Sequence, residues 1–421
     1  MSNLNTISFL LGFKDKNIIP DENFQDTTIV RNNITHKVIH MKTTTDFVLC
    51  PHCGLIASKL HDYRTVNLKH STGEKQPLII ALRKKRFECM HCGSIVTEQL
   101  QDIQKNCFIT DETKRSLIVS LKKTCSLVSV AENHNVSYSC VYRALEKVNY
   151  HSAPKSLPEV LSFDEFKADT NEGKYAFMAV DPINRNIIEI LCDRKYSTVY
   201  KFFASYSKKE RKKVRFIISD LWKPYRKIAK VLFPHATFVA DKFHYQRLVS
   251  NAFNQIRKNT CKKLDETKSR QIKKYWKLLN KKECALDVKE KFYCHWLKRP
   301  VTQKQLVDEL LSLDASLKEA WQLYQDFLSL IGLDDPKLQQ TLLNSWLERA
   351  MNSGLELMKN AAKSLTNWKD AVIASFSKYN GRQLSNGTIE GINNRIKVIK
   401  RVSYGYRSFI NFKKRILLIF Y

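Results

Sequence analysis

Three acids stand out in a strongly basic chain. Asp164 ends the run "EVLSFD" and Asp220 ends "RFIISD", both near-continuous apolar segments of strand type. A carboxylate in such a place is costly unless a cation compensates it. If the two strands are neighbours, the side chains can share a divalent ion. Magnesium suits such a site, because it binds a few carboxylates and leaves room for water and phosphate oxygens. Two ions about 4 Å apart activate the attacking oxygen of a phosphodiester displacement and stabilise the leaving one. A third carboxylate is then required, and Glu390 in "SNGTIEGINNRIKVIKR" is the best supplier. On a helical wheel Glu390, Asn394, Lys397 and Arg401 fall within about 60°, and Ile389, Ile392, Ile396 and Ile399 span about 80° on the other side. One face of that helix packs inward while the other offers one acid and two cations. A solvated amphipathic helix with a stray Glu explains the wheel equally well.

A second constellation is made of thiols. "CPHCG" and "CMHCG" each set two cysteines two residues apart, Cys50 with Cys53 and Cys89 with Cys92. Each turn aims two thiolates at one ion, and two turns complete a tetrahedral four-cysteine zinc site. The glycine after each second cysteine suits the tight knuckle. Between the pairs, "PLIIALRKKRFEC" reads as a strand able to carry the second knuckle on a hairpin. His52 and His91 face outward in this reading. The other seven cysteines lack ligand spacing and read as buried small hydrophobes.

The elements around these residues follow from their patterns. "DETKRSLIVSLKKTCSLVSVAENHNVSYSCVYRALEKV" reads as three short helices, with Ser126 and Ser137 as N-caps. Ala131 takes a close-packing position, Asn135 a turn position that tolerates left-handed backbone, and Val136, Val141 and Leu145 the inner face. This is a helix-turn-helix pattern, whose last helix enters the major groove. Tyr138, Ser139, Tyr142 and Arg143 would then face DNA; a purely structural three-helix bundle is the other reading. "HSAPKSLPE" is a linker, since its prolines interrupt helix.

From residue 160 the order is three strands in a meander, with a turn at 181–186, then a helical stretch near 197–210. The strand ending at Asp220, a short helix and the strand "HATFVAD" ending at Asp241 follow. That order is that of an RNase H-like α/β fold. Residues 246–376 show helical spacing with hardly any strand signal. They hold Trp276, Trp296, Trp321, Trp346 and Trp368, which read as core residues.

Composition narrows the partners. The formal net charge is +30 over 421 residues, with an isoelectric point near 9.6. Such a field favours nucleic acid or an anionic surface. No apolar run approaches the roughly 20 residues that span a bilayer, and the N-terminus is a poor signal peptide. Eleven cysteines without export signals fit a reducing compartment. The charge is blocked: residues 242–300 carry 17 Lys and Arg against 5 acids, and residues 301–350 carry 4 against 8. The first block reads as a DNA-facing wall. "YGYRSFINFKKRIL" interleaves Tyr404, Tyr406 and Arg407 with Lys413–Arg415, suited to backbone contact and stacking.

Taken together, "CPHCG…RFECMHCG", the helix-turn-helix, "SFDEF", "ISDLWKPY", "FPHATFVADKFH" and "SNGTIEGINNRIKVIKRVSYGYRSFINFKKRIL" resemble the DDE transposases of bacterial insertion sequences, in particular the ISL3 family. The resemblance runs through nearly the whole chain. It implies that Asp164, Asp220 and Glu390 are the catalytic triad, holding two Mg²⁺ or Mn²⁺ ions. It also implies that residues 246–376 interrupt the fold. Related groups carry a C/D-x-x-H signature that Asp241 and His244 fit; positioning of the metal site or of flanking DNA is one reading, a strand-end hydrogen-bond pair the other.

The expected organisation is therefore α/β: an N-terminal segment (1–45), a four-cysteine zinc ribbon (46–105), a helix-turn-helix (106–150), an RNase H-like core (159–245), an all-helical insertion (246–376) and the C-terminal part of the core (377–421). The expected activity is metal-dependent cleavage and strand transfer on terminal inverted repeats and target double-stranded DNA. Lys397 and Arg401 would touch the DNA beside the metals. At least a homodimer is expected on DNA, in the bacterial cytoplasm with the nucleoid and without membrane contact. The alternative is a zinc and helix-turn-helix transcriptional regulator with an inactive nuclease-like domain.

Overall fold

The structure, a computed structural model, describes residues 3–31, 34–71, 77–104, 107–149 and 154–421. Residues 151–153 of the expected linker lie outside the described residues. The chain forms two compact units: Met1–Ser152 with Ala168–Glu172 and Asn394–Tyr421, and Ala153–Lys167 with Gly173–Asn393.

The first unit is built on a six-stranded sheet of Ile18–Pro20, Thr27–Arg31, Ile34–Thr43, Lys59–His70, Leu78–Glu88 and Ile95–Thr97. The basic segment expected to be a strand is Leu78–Glu88. It runs antiparallel to Lys59–His70 from Lys59↔Glu88 to His70↔Leu78, and parallel to Ile34–Thr43. Residues before position 45 thus belong to the same sheet as the zinc-ribbon region. Ile18, Met41, Leu68, Ile80 and Leu82 bury one face of it.

Three short helices follow, Asp111–Leu121, Leu127–Asn133 and Tyr138–Glu146. Thr110 Oγ1 accepts from the Thr113 N–H and Ser126 from the Ser129 N–H, each satisfying an otherwise unpaired N–H of a first turn. Ser137 occupies the third N-cap without a side-chain capping bond. Asn135 has φ +50°, the left-handed turn its position called for. Leu117, Leu121, Val130, Val141 and Leu145 form the core between them.

The C-terminal helix Phe409–Phe420 packs on this trio. Arg415 is fully buried, and its guanidinium donates to the carbonyls of Leu121, Lys123 (2.9 Å) and Cys125 (2.8 Å). Those carbonyls lie at the C-terminal end of the first helix and in the following turn, where backbone acceptors have no intrahelical donor. Asn411 Nδ2 donates to Tyr142 Oη at 2.8 Å, and Lys414 donates to the Glu146 carbonyl. The tail serves as a fourth helix of the trio, a role that periodicity alone does not reveal.

The second unit centres on a five-stranded sheet, in the order Asn186–Leu191, Gly173–Asp181, Val160–Thr170, Phe216–Ser219, Thr237–Ala240. The first two neighbouring pairs make the meander. Val160–Thr170, Phe216–Ser219 and Thr237–Ala240 are parallel to one another. Helices Tyr196–Ala204 and Lys223–Leu232 supply Val199, Phe203, Tyr225 and Ile228 to a core shared with Leu161, Phe163, Phe177 and Ile217. Phe163 sits in an aromatic cluster, 5.4 Å from Phe177 and 5.1 Å from Phe203. Side chains alternate across a strand, so Ser162 and Asp164 face away from that cluster.

One expectation is corrected here. The first strand does not end at Asp164 but continues to Thr170. The polar residues after Asp164 look like a strand end because alternation leaves Lys167 and Asp169 exposed while Phe166 and Ala168 are buried.

After Asp241, the helix Lys242–Lys263 begins a mainly helical region extending to Ala374, broken by the short hairpin Phe292–Cys294 and Arg299–Val301. Tyr245, Val249, Phe253 and Ile256 pack there with Phe327 and Trp346. Trp321 and Trp346 are buried, their indole N–H groups donating to the Leu279 and Leu323 carbonyls. They are core residues, as read from the sequence; Trp276 is 43% exposed.

Truncating Arg415 leaves the Leu121 and Cys125 carbonyls without their donor, while Lys123 keeps the bond from the Cys125 N–H. Arg415→Ala is expected to lower the stability of the first unit by about 3 kcal/mol, and Arg415→Lys by less, since the ammonium keeps the charge but loses the fork. Urea denaturation followed by tyrosine fluorescence measures both, and a neutral Ala variant contradicts this role.

Candidate active site and metal centre

Three adjacent parallel strands each deliver an acid to the same edge of the sheet. Ile218 is paired with Ser162, so carrying the register two residues on sets Asp220 beside Asp164. Ser219 is paired with Ala240, and the Asp241 N–H donates to the Ser219 carbonyl at 2.9 Å, which sets Asp241 next to Asp220. Open α/β sheets bind ligands at the carboxyl ends of their strands; Asp220 and Asp241 follow directly on such ends, and Asp164 lies level with them inside the longer first strand.

The electrostatics agree with the geometry. Burial pushes the Asp164 carboxyl up to about 7, with the charges of Asp220, Glu165 and Asp241 adding to the rise against a hydrogen bond from the Glu165 N–H. Burial also raises Asp220, helped by Glu165, while His244 and Arg194 pull it down. Asp241 is raised by burial too, and hydrogen bonding by Asn386 opposes this. Several carboxylates crowded at one low-dielectric edge disfavour one another's charge.

Two asparagines, which the sequence reading left out, hold this edge. Asn393 Nδ2 donates to Asp164 Oδ2 at 2.7 Å. Asn386 donates from its backbone N–H to Asp241 Oδ1 at 3.2 Å, and from its side chain to the Phe163 carbonyl at 3.4 Å. Both asparagines are buried. Asn393 lies three residues after Glu390, and residues three apart are neighbours on a helix. The available signal was this spacing, on a position between the isoleucine face and the charged face.

Glu390 itself is exposed on the helix Gly387–Val402, as are Asn394, Lys397 and Arg401, while Ile389, Ile392, Ile396 and Ile399 are buried. The wheel is thus realised. The structure brings Asp164, Asp220 and Asp241 together, and it puts Glu390 one turn from Asn393. Among the described residues, however, the four cysteines are the sole set of three or more ligands whose atoms lie within 4.8 Å of one another. Neither Asp164, Asp220 and Glu390 nor Asp164, Asp220 and Asp241 are gathered to that distance. His244 Nε2 lies 4.0 Å from Asp241 Oδ2.

The donor set fits a hard cation. Asp241 Oδ2, Asn393 Oδ1 and Ser162 Oγ are buried without a hydrogen-bond partner, although buried polar atoms are nearly always paired. Oxygen ligands of this kind suit Mg²⁺ or Mn²⁺.

The cysteines form a separate centre. Cys50 Sγ lies 3.5 Å from Cys92 Sγ, and Cys53 Sγ lies 3.5 Å from Cys89 Sγ. A tetrahedral zinc site with bonds of about 2.3 Å has sulfur–sulfur edges of about 3.8 Å, so the cage has the right size. The two knuckles repeat one geometry. The Gly54 N–H donates to the Cys50 carbonyl and the Gly93 N–H to the Cys89 carbonyl, both at 2.8 Å, with φ at +74° and +68°. Ser94 hydrogen bonds draw the Cys92 thiol down to about 6. His52 and His91 are exposed. Among the other cysteines, Cys261 and Cys294 are buried, while Cys284 is exposed and departs from the expectation of a buried hydrophobe.

The residues expected to read DNA divide. Tyr138, Ser139 and Arg143 are exposed, whereas Tyr142 is half-buried and bonded to Asn411. The Arg143 Nε donates to the Ser139 carbonyl at 3.2 Å. No helix among the described residues is long and apolar enough to cross a membrane.

Comparisons with known proteins bear on both centres. Residues 46–92 match a family described as the zinc-finger of transposases IS204, IS1001, IS1096 and IS1165. A protein named transposase for insertion sequence element IS1001, from Bordetella parapertussis, is 25% identical over 377 residues, covering 88% of each chain. A Lactococcus lactis subsp. lactis protein named ATP-dependent protease is 36% identical over 120 residues, covering 28% of this chain and 35% of its own. The longest family match, described as transposase of the DDE type, spans residues 161–416 and so more than half of the sequence; the chain belongs to the ISL3 family of DNA transposases.

Proposed function

We propose that this transposase binds the terminal inverted repeats of its insertion sequence, cleaves the phosphodiester to free a 3′-OH and joins that end to target DNA. Asp164, Asp220 and Glu390 are the catalytic carboxylates. The observation that carries this reading is the shared edge of three parallel strands, where Asp164 and Asp220 are desolvated together and Asn393 ties Asp164 to the helix of Glu390. Divalent ions held there, Mg²⁺ or Mn²⁺, supply activation of the attacking oxygen and neutralisation of the leaving one.

The chain's own residues set up that chemistry. Asn393 fixes the orientation of Asp164 through its amide. Glu165, held by Arg194 and by Tyr225 Oη at 3.3 Å, adds a further carboxylate beside the pair. Asp241 and His244 serve as accessory groups at the same edge. Lys397 and Arg401, exposed on the Glu390 helix, engage the DNA backbone. The five-stranded sheet is an RNase H-like core, in strand order and in the position of its acids, and the helical region beyond Asp241 is its insertion.

Recognition belongs to the first unit in this reading. The trio 111–146 works as a helix-turn-helix, with Tyr138, Ser139 and Arg143 presented to the groove. Tyr142 contributes from its base, through its stacking on Tyr138 at 6.1 Å. The cysteine module holds a structural Zn²⁺. Joining requires two ends at once, so a dimer or larger assembly forms on DNA, in the cytoplasm and at the nucleoid.

Asp164→Asn, Asp220→Asn and Glu390→Gln should each keep end binding but lower Mg²⁺-dependent strand cleavage by roughly three orders of magnitude, a barrier increase of about 4 kcal/mol. Normal cleavage by any of them removes that residue from the triad, whereas a wild-type chain that binds the ends without cleaving them would favour a DNA-binding regulator. Elemental analysis of the purified chain should find one zinc per polypeptide. Cys50→Ser or Cys89→Ser should lose the metal and weaken end binding, and a zinc-free wild-type chain rejects the site.

Proton competition gives a further test. A protonated carboxyl is a poor ligand, and Asp164 holds its proton up to about 7. Mn²⁺ affinity should therefore rise with pH through 7 and level off above it, with a proton released on binding near pH 6. Calorimetry in buffers of different ionisation enthalpy reads that proton; a pH-independent affinity between 6 and 8 contradicts the assignment.

A further inference from the structure

The helix Gly387–Val402 ends in a turn that holds an aromatic ring out in solvent. Tyr404 has φ +54° and Gly405 φ +92°, two successive residues in the left-handed region. Glycine adopts that region freely, whereas a tyrosine there strains its β-carbon against the backbone. Tyr404 is the left-handed residue of the helix cap, its N–H donating to the Arg401 carbonyl at 3.1 Å and the Gly405 N–H to the Lys400 carbonyl at 2.9 Å, at a position that glycine usually fills. Strained residues persist only where the surroundings over-determine them, and they gather at functional sites.

The surroundings here do over-determine the turn. Ser403 Oγ and Tyr406 Oη are 2.9 Å apart. The Tyr406 ring stacks on Phe412 at 4.8 Å and 12°, and the Asn171 N–H donates to the Arg407 carbonyl at 2.9 Å. One tyrosine is thus packed inward as an anchor while the other is turned out. Tyr404 is 97% exposed, more than any other large hydrophobic side chain among the described residues. The side chains of Arg401 and Arg407, on either side of it, are exposed as well. Tyr406 lies close enough to Tyr138 for the two phenols to interact electrostatically, and Asn411 bonds Tyr142. The turn therefore stands beside the helix Tyr138–Glu146, to which recognition was assigned above.

An exposed, uncharged ring with an exposed arginine three residues to either side matches a partner whose flat apolar faces alternate with negative charge. Nucleic acid has that chemistry: bases offer the faces and phosphates the charge. We propose that Tyr404 stacks on a base of transposon-end DNA, opening the base step next to the segment read by the helix Tyr138–Glu146. This rests on the end-binding reading of the first unit. The left-handed backbone at Tyr404 then sets the direction in which the ring leaves the turn before DNA arrives.

The test uses the full chain as wild type, Tyr404→Phe, Tyr404→Ala and Tyr404→Gly, with duplexes of the terminal repeat carrying 2-aminopurine at successive positions. Wild type and Tyr404→Phe should raise the fluorescence at one or two adjacent positions. Tyr404→Ala and Tyr404→Gly should abolish that rise and weaken binding by about 5- to 100-fold. The slope of affinity against salt should be unchanged, because no charge is removed. Tyr404→Gly should keep or raise Tm, by up to about 2 °C, since it relieves the positive φ.

Wild-type affinity and fluorescence in Tyr404→Ala overturn the proposal. A lower Tm in Tyr404→Gly assigns the ring a structural role and overturns it too. A defect of Tyr404→Ala confined to assembly of chains on DNA makes the turn a protein contact, which also overturns base stacking. Failure of the wild-type chain to bind the repeat removes the end-binding reading itself, which separates the two failures.

Discussion

The arrangement at the sheet edge depends on one electrostatic conflict. Two parallel strands end beside a third that runs on past them, and each brings an aspartate that burial makes reluctant to ionise. Without compensation the edge is unfavourable, because desolvated like charges add to one another's cost. The local structure answers it partially. Asn393 and Asn386 donate to Asp164 and Asp241, and Arg194 pairs with Glu165. Buried oxygens at Asp241, Asn393 and Ser162 still lack a hydrogen-bond partner. An edge left short of positive charge in this way fits the cation that the proposed reading places there.

The same logic of partial satisfaction operates at the cysteines, with softer atoms. Two knuckles of near-identical backbone geometry place four sulfurs at the spacing of a tetrahedral cage. Two of the four are exposed and two are buried. The strand Leu78–Glu88 sets that spacing: it carries Cys89 at its end and pairs with Lys59–His70, which follows the first knuckle. The two places differ in ligand type, oxygen at the sheet edge and sulfur at the ribbon.

The tail of the chain shows how a basic segment can be divided by its surroundings. Lys397 and Arg401 remain exposed on a helix whose isoleucines are buried. Arg415, with the same charge and within one short stretch, is fully enclosed and holds three carbonyls of the helical trio. Tyr404 and Tyr406 divide in the same manner, one in solvent and one stacked on Phe412. Composition treats these residues alike, and packing gives them different work.

Much was legible from the sequence alone, for reasons of local physics. The paired CxxC turns, the helix capped by Ser126, the helix start at Ser137, the left-handed Asn135 and the isoleucine face of the Glu390 helix all depend on residues within a few positions of one another. The meander followed by alternating strand and helix was readable because each strand is an apolar run bounded by breakers. Tertiary structure alone decided which strands lie side by side, and hence that Asp241 stands with Asp164 and Asp220. It decided that Asn393 is a partner of Asp164, that the first strand runs on past Asp164, and that Phe409–Phe420 completes the helical trio. Each of these is a pairing across many residues, and periodicity carries no information about which distant surface will cover a given face.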